Sequence, residues 1–122
     1  MTQPTRLSLL GTIACLSAVA FLSTAGCDKG GAGGDNSALI SQGRTVYNAN
    51  GCANCHSING QGGRKAPDLS KVGAGEEHTA EWLAAHVKNP KAHNPGSRMP
   101  GFEGKISDKD LLALGAYLAS LK

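Results

Sequence analysis

Aromatic side chains are scarce in this 122-residue chain, with two Phe, two Tyr and one Trp making up 4% of it. A core assembled from so few rings is thin. Charge is sparse as well: Asp, Glu, Lys and Arg together make 17%, the formal net charge is +3, and no basic run occurs. That pattern excludes the dense Lys/Arg footprint needed for sequence-independent phosphate binding, and with it a nucleic-acid partner. No unbroken apolar run reaches the roughly 20 residues a permanent membrane helix requires. At about 100–200 residues per domain, the length excludes a two-lobed enzyme with a cleft between lobes.

What is present begins with a targeting pattern. A single cation, Arg6, precedes Leu7 to Leu22, which carry no charge and are mostly apolar, although Ser8, Gly11, Thr12 and Ser17 interrupt them. This is the architecture of an export signal. Thr24-Ala25-Gly26-Cys27 then resembles a bacterial lipobox, in which small residues lead to a cysteine that is diacylated and becomes the new N-terminus. Two acyl chains on Cys27 suffice for stable anchoring, whereas one does not. Ala18-Val19-Ala20 and Ser23-Thr24-Ala25 offer an ordinary signal peptidase alternative sites, which would leave the domain soluble in the periplasm. Cys15, inside the apolar stretch, is read as an apolar residue lost on processing. Asp28 follows Cys27, and in resembling enteric lipoproteins an aspartate there retains the protein at the inner membrane. The Gly-rich segment Lys29 to Asn36 reads as a flexible tether. The expected organisation is therefore a signal over 1–26, a lipidated Cys27 with its tether over 27–36, and one folded domain over 37–122. A domain this small commonly recruits a disulfide, a metal or a cofactor to complete its core.

Cys52-Ala53-Asn54-Cys55-His56 is the C-x-x-C-H signature of covalent c-type haem attachment. Two thiols separated by two residues in a tight turn can each form a thioether to one vinyl group, and the next residue offers an imidazole to the iron. Export and this motif share no residues and agree with each other. Two alternatives remain in view. A Cys52–Cys55 disulfide of thioredoxin type would need a βαβ pattern that the chain lacks. A zinc site would need two more ligands, and His78, His86 and His93, separated by eight and seven residues, do not fit the usual H-x(3–5)-H spacing.

A second axial ligand must come from elsewhere. Met99 is the only methionine besides Met1, 43 residues after His56, in the Pro/Gly-punctuated loop Arg98-Met99-Pro100-Gly101-Phe102. A lone Met is more often core filler. This one lies in a loop between Arg98 and Pro100, where backbone geometry can hold a thioether against iron. His78, His86 and His93 compete for the same position, and each also has an ordinary surface or capping role.

Cys52 to His56, Pro67-Asp68-Leu69, Met99-Pro100 and an amphipathic C-terminal helix together resemble a class I monohaem cytochrome c, over Ala38 to Lys122. The resemblance implies an all-α fold of about three to five helices packed round one covalently attached haem. It also implies His56 and Met99 as axial ligands, the Pro67 carbonyl as acceptor of the His56 Nδ1 proton, and Leu69 packed near the haem face. In similar cytochromes an indole placed like Trp82 donates to a haem propionate; a plain core role is the alternative.

Local signals place these residues on elements. Ser37 is positioned to cap a helix over Ala38 to Asn50, with Leu39, Val46 and Tyr47 near one face and Gly51 as its stop. Ser57 to Ala66, with Asn59-Gly60 and Gln61-Gly62-Gly63, reads as an irregular loop. Thr79 caps a helix to Lys88, stopped by Asn89-Pro90, with His93 in the loop beyond. Ser107-Asp108-Lys109-Asp110 opens a last helix whose Leu111, Leu114, Leu118 and Leu121 recur at helical spacing. Gly43 and Gly115 each cost a helix about 1 kcal/mol relative to Ala. A close crossing of Gly43 against the Gly115 to Tyr117 region would account for them.

A His/Met-ligated iron leaves no open position for substrate, which points to one-electron transfer at a comparatively high potential. The expected protein is a monomeric carrier, not an enzyme, held at the periplasmic face of the inner membrane or another extracytoplasmic membrane surface. It would exchange electrons with a membrane oxidoreductase or oxidase, or with a periplasmic reductase. Lys88, Lys91 and Arg98 would ring the haem edge for an acidic partner or form a solvated face. Two other readings are a haem sensor or weak peroxidase, in which Met99 dissociates, and a dedicated electron-accepting subunit of one membrane complex. The anchor has a direct test: Cys27→Ser should release the protein from membranes while haem attachment persists, as read by fractionation, and retention in the membrane fraction would count against lipidation.

Overall fold

The computed structural model describes residues 32–122. The export signal, Cys15, Cys27 and the tether residues before 32 lie outside the described residues. Four helices form the body: α1 (Ala32–Ala49), α2 (Ala80–Lys88), α3 (Pro90–His93) and α4 (Asp108–Ala119). Single 3-10 turns lie at Cys52–Asn54 and Val72–Ala74. The fold is small and all-α. Among the described residues, no helix is long and apolar enough to cross a membrane.

The caps follow their local chemistry. Thr79 stands at the N-terminus of α2, its hydroxyl accepting from the Trp82 amide at 3.2 Å. Ser107 opens α4, accepting from the Asp110 amide at 3.1 Å and donating to the Asp110 carboxylate at 2.8 Å. Three expectations need correction. Helix α1 reaches back through the Gly-rich segment to Ala32, so Ser37 lies inside the helix rather than capping it. The segment after His56 is not wholly irregular, because Ser57–Ile58 (β1) and Gln61–Gly62 (β2) pair as a minimal antiparallel hairpin. His93 ends the short helix α3, with Pro90 at its start, where proline's missing N–H costs nothing.

Helix α4 is the centre of the body. Leu111, Ala113, Leu114, Ala116, Tyr117 and Leu118 are all buried, Leu114 at 1% exposure. Leu111, Leu114, Tyr117 and Leu118 meet Val46 and Tyr47 of α1 and Leu83, Ala84 and Val87 of α2 in one core. The Tyr47 and Tyr117 rings pack edge to face at 5.8 Å. Gln42 ties α1 to the start of α4 by donating to Asp110 at 2.7 Å.

Both helical glycines mark crossings, but not one shared crossing. A Cβ on Gly43 would lie 2.0 Å from the Ala113 carbonyl oxygen and 2.7 Å from the Tyr117 Cβ. A Cβ on Gly115 would lie 2.0 Å from the Ala80 carbonyl oxygen. Gly43 therefore seats α1 on α4, while Gly115 seats α2 on α4. Gly43→Ala and Gly115→Ala should each lower stability, since overpacking against backbone costs about 1–3 kcal/mol against a propensity gain of roughly 1 kcal/mol. Denaturant midpoints check this, and an unchanged midpoint in both would count against the crossings.

Candidate functional site

The Cys52–Asn54 turn begins three residues after α1 ends. Cys52 is half-buried and Cys55 exposed, and both are free thiols. Burial pushes the Cys52 thiol above its ordinary value, so it stands as a neutral thiol. The His56 amide donates to the Cys52 carbonyl at 3.0 Å, closing the turn. The chain then returns beneath it: the Gly63 amide donates to the Ala53 carbonyl at 2.7 Å. This approach requires glycine, because a Cβ on Gly63 would lie 2.3 Å from the Asn54 carbonyl oxygen and one on Gly62 at the same distance from that of His56.

His56 is oriented through its inner ring nitrogen, which donates to the Pro67 carbonyl at 2.7 Å. With Nδ1 carrying the proton, Nε2 is left with a free lone pair. Pro67 is itself held by a clamp that sequence reasoning missed. Asp68 accepts from the Ser57 hydroxyl at 2.5 Å and from the Ser70 amide at 2.9 Å, and the Ser70 hydroxyl accepts from the Asn59 amide at 2.7 Å. The Ser57 hydroxyl, then Ser70, holds the Asp68 carboxyl below its usual range. Short polar residues eleven positions apart across a loop leave no sequence signal.

Beside this loop lies an apolar cavity of about 270 Å³ whose wall includes Pro67, Leu69, Trp82, His86 and Met99. The structure thus brings together four of the residues singled out from sequence, Pro67, Leu69, Trp82 and Met99, on one surface. Leu83 and Val87 of α2 and Leu118 of α4 also line it. Met99 is carried by a loop pinned at both ends: its amide donates to the Ser97 hydroxyl at 3.2 Å, and the Phe102 amide donates to the Lys88 carbonyl at 3.1 Å.

The three histidines that competed with Met99 gather on the same side. Their rings stack on Trp82, with centroids at 4.7 Å for His78, 5.2 Å for His86 and 4.5 Å for His93. His78 and His86 border the cavity, while His93 is exposed. The His78 Nδ1 donates to the Val72 carbonyl at 2.6 Å. Burial, followed by the nearby His93, His78 and His56, holds His86 below the ordinary histidine value and keeps it neutral. Among the described residues, no three His, Cys, Asp or Glu side chains are grouped to hold a metal ion by themselves. Of the cations expected to ring the site, Lys88 is engaged elsewhere, paired with Asp108 at 2.8 Å.

These residues fit a haem. Two thiols and an imidazole with a free lone pair stand on one turn, beside an apolar cavity that carries a thioether, and a buried ring nitrogen of His86 has no partner among the described residues.

Comparison with known proteins agrees. The cytochrome c family pattern matches residues 40–122. The chain is similar to a cytochrome c oxidase subunit 2 of Alkalihalophilus pseudofirmus, 36% identical over 90 residues that cover 69% of this chain and 26% of that one. It is also similar to a cytochrome c550 of Pseudomonas aeruginosa, 35% identical over 79 residues covering 65% of this chain and 53% of that protein. A cytochrome c of Tetrahymena pyriformis is 36% identical over 97 residues, covering 66% of this chain and 87% of its own. The chain spans about a quarter of the length of the oxidase subunit and about half that of the cytochrome c550. No solved structure matches it at a significant level. With the attachment turn, its carbonyl-anchored histidine and a matching stretch from residue 40 to the last residue, the chain belongs to the cytochrome c family.

Proposed function

We propose that this chain is a one-electron carrier holding a single haem c, with Cys52 and Cys55 as thioether donors, His56 as proximal ligand and Met99 as distal ligand. The observation that carries the reading is the pairing of a His56 anchored on the Pro67 carbonyl with a neighbouring apolar cavity that Met99 also lines. Haem supplies an iron that alternates between ferric and ferrous states and a conjugated edge for tunnelling. The residues do the rest. Pro67 fixes the tautomer and ring plane of His56 through a neutral acceptor, adding no charge beside the iron. Leu69, Leu83, Val87 and Leu118 keep water from the cavity, which favours the less charged ferrous state. The Met99 thioether acts in the same direction and raises the potential. No nucleophile or general base is required.

Trp82, on the cavity wall, is read as a partner for a haem propionate through its indole N–H. Docking belongs to the face around the Met99 loop, where Lys91 and Arg98 are exposed. We place the protein outside the cytoplasm, anchored through lipid on Cys27, with a membrane oxidoreductase or oxidase as partner. The similarity to proteins described as cytochrome c oxidase subunit 2 supports that choice.

Two outcomes test the reading. Oxidised wild-type protein should show the weak sulfur–iron charge-transfer band and reduced protein should ignore carbon monoxide; Met99→Ala should lose the band and show a lower potential by redox titration. An unchanged band would remove Met99 as a ligand. The Asp68 clamp predicts a pH effect. Its carboxyl is depressed in the folded state, so its contribution to stability is present above the unfolded value of roughly 3.9 and is lost as pH falls through the folded value. Asp68→Ala should therefore be less stable than wild type at pH 7, with the gap in denaturant midpoint narrowing below about pH 4; a gap that ignored pH would count against the clamp.

A further inference from the structure

One polar atom in this region has no partner among the described residues. The Nδ1 of His86 is buried and makes no hydrogen bond, although buried polar groups are nearly always paired. Its neighbour His78 obeys that rule through the Val72 carbonyl at 2.6 Å. His86 departs from it while lining the cavity that Met99 lines.

The surroundings narrow the use of this nitrogen. The ring lies nearly parallel to that of Trp82, at 4°, and to that of His93, at 22°. Imidazole lone pairs lie in the ring plane, so parallel stacked rings cannot aim two of them at one cation. The histidine column is therefore not a metal site of its own. What remains within reach of His86 is the occupant of the cavity. The two candidate donors also differ in how they are held. His86 is carried on α2, whose Leu83, Ala84 and Val87 are locked in the core. Met99 is carried on a loop and only partly buried.

We propose that His86 is a reserve axial ligand: when the Met99 sulfur leaves the iron, an imidazole nitrogen of His86 takes the vacated position. This rests on the haem reading above. The exchange breaks one iron–sulfur bond and forms one iron–nitrogen bond, and it moves no electron. A neutral imidazole already carries a lone pair, so no proton is released. Imidazole favours ferric iron more than a thioether does, so the exchanged state has a lower potential. The protein then has two six-coordinate states at different potentials, and neither offers iron to small ligands. The open-iron sensor or peroxidase reading is closed off by the same side chain that would otherwise serve as its distal base.

The test compares Met99→Ala, Met99→Ala/His86→Leu and Met99→Ala/His78→Gln, each with its covalent haem verified on a denaturing gel. Met99→Ala should be low-spin in its ferric absorption and electron paramagnetic resonance spectra, and its ferrous form should bind carbon monoxide weakly. Met99→Ala/His86→Leu should be high-spin, with carbon monoxide affinity at least tenfold greater, while Met99→Ala/His78→Gln should behave as Met99→Ala. If the leucine variant fails to accumulate, Met99→Ala/His86→Gln, which keeps a polar side chain, carries the same expectation. A high-spin Met99→Ala with the carbon monoxide affinity of the double variant would overturn the proposal, as would an opening caused by His78→Gln instead. Protein with no covalent haem would overturn the haem reading and this proposal together.

Discussion

Helix α4 crosses two other helices at points where no side chain fits. Gly43 of α1 faces the backbone of α4, and Gly115 of α4 faces the backbone of α2, each with room for hydrogen alone. These contacts set the spacing on which the rest depends. The attachment turn hangs from the end of α1, and the Met99 loop is tied back to the end of α2 through the Lys88 carbonyl. The distance between the two sets of candidate ligands is thus governed by how closely two helices approach a third. A methyl group at either crossing would be felt in the cavity as well as in the core.

Within that frame, polar interactions are kept to the edge of the cavity. Orientation of His56 falls to a backbone carbonyl, and the carboxylate that steadies this carbonyl's loop, the exposed Asp68, bonds to the half-buried Ser57 and Ser70 rather than to the imidazole. A carboxylate bonded directly to the imidazole would put a negative charge next to the metal and stabilise the ferric form. Separating the two roles lets charge rigidify the loop while His56 itself meets a neutral acceptor. The same division governs α2, whose core face is aliphatic and whose other face carries the stacked rings.

The sequence made the attachment motif legible because its chemistry is local: five consecutive residues define it. Capping by Thr79 and Ser107 and the spacing of Leu111, Leu114 and Leu118 are local too, and they stand where the residues indicate, although α4 ends at Ala119, before Leu121. Contacts between distant segments were less legible. Glycine signals close approach without saying to what, so only the structure shows that Gly115 meets α2 at Ala80 while Gly43 meets α4 at Ala113 and Tyr117. The start of α1 at Ala32 is not legible, because Gly-rich composition argues against helix on propensity alone and Ser37 is a residue type that caps helices. The pairing of Lys88 with Asp108 is not legible either, because the two are twenty residues apart. Nothing in the spacing of His78, Trp82, His86 and His93 announces a column of stacked rings, since the last of them arrives only when α3 turns back over α2.

That column gives meaning to the scarcity of aromatic residues. The chain has one Trp, and it stands on the cavity wall with three of the four histidines stacked on it. Imidazoles here occupy places that Phe or Tyr would fill in a hydrocarbon wall, and they supply comparable flat surface for packing. They differ in bringing nitrogen lone pairs and titratable protons to the edge of an apolar space. A wall of phenyl rings would leave Met99 as the sole donor on its side of the cavity. With His86 in the wall, the exchange proposed above would find a second donor already in place, on a helix whose Leu83, Ala84 and Val87 are buried in the core.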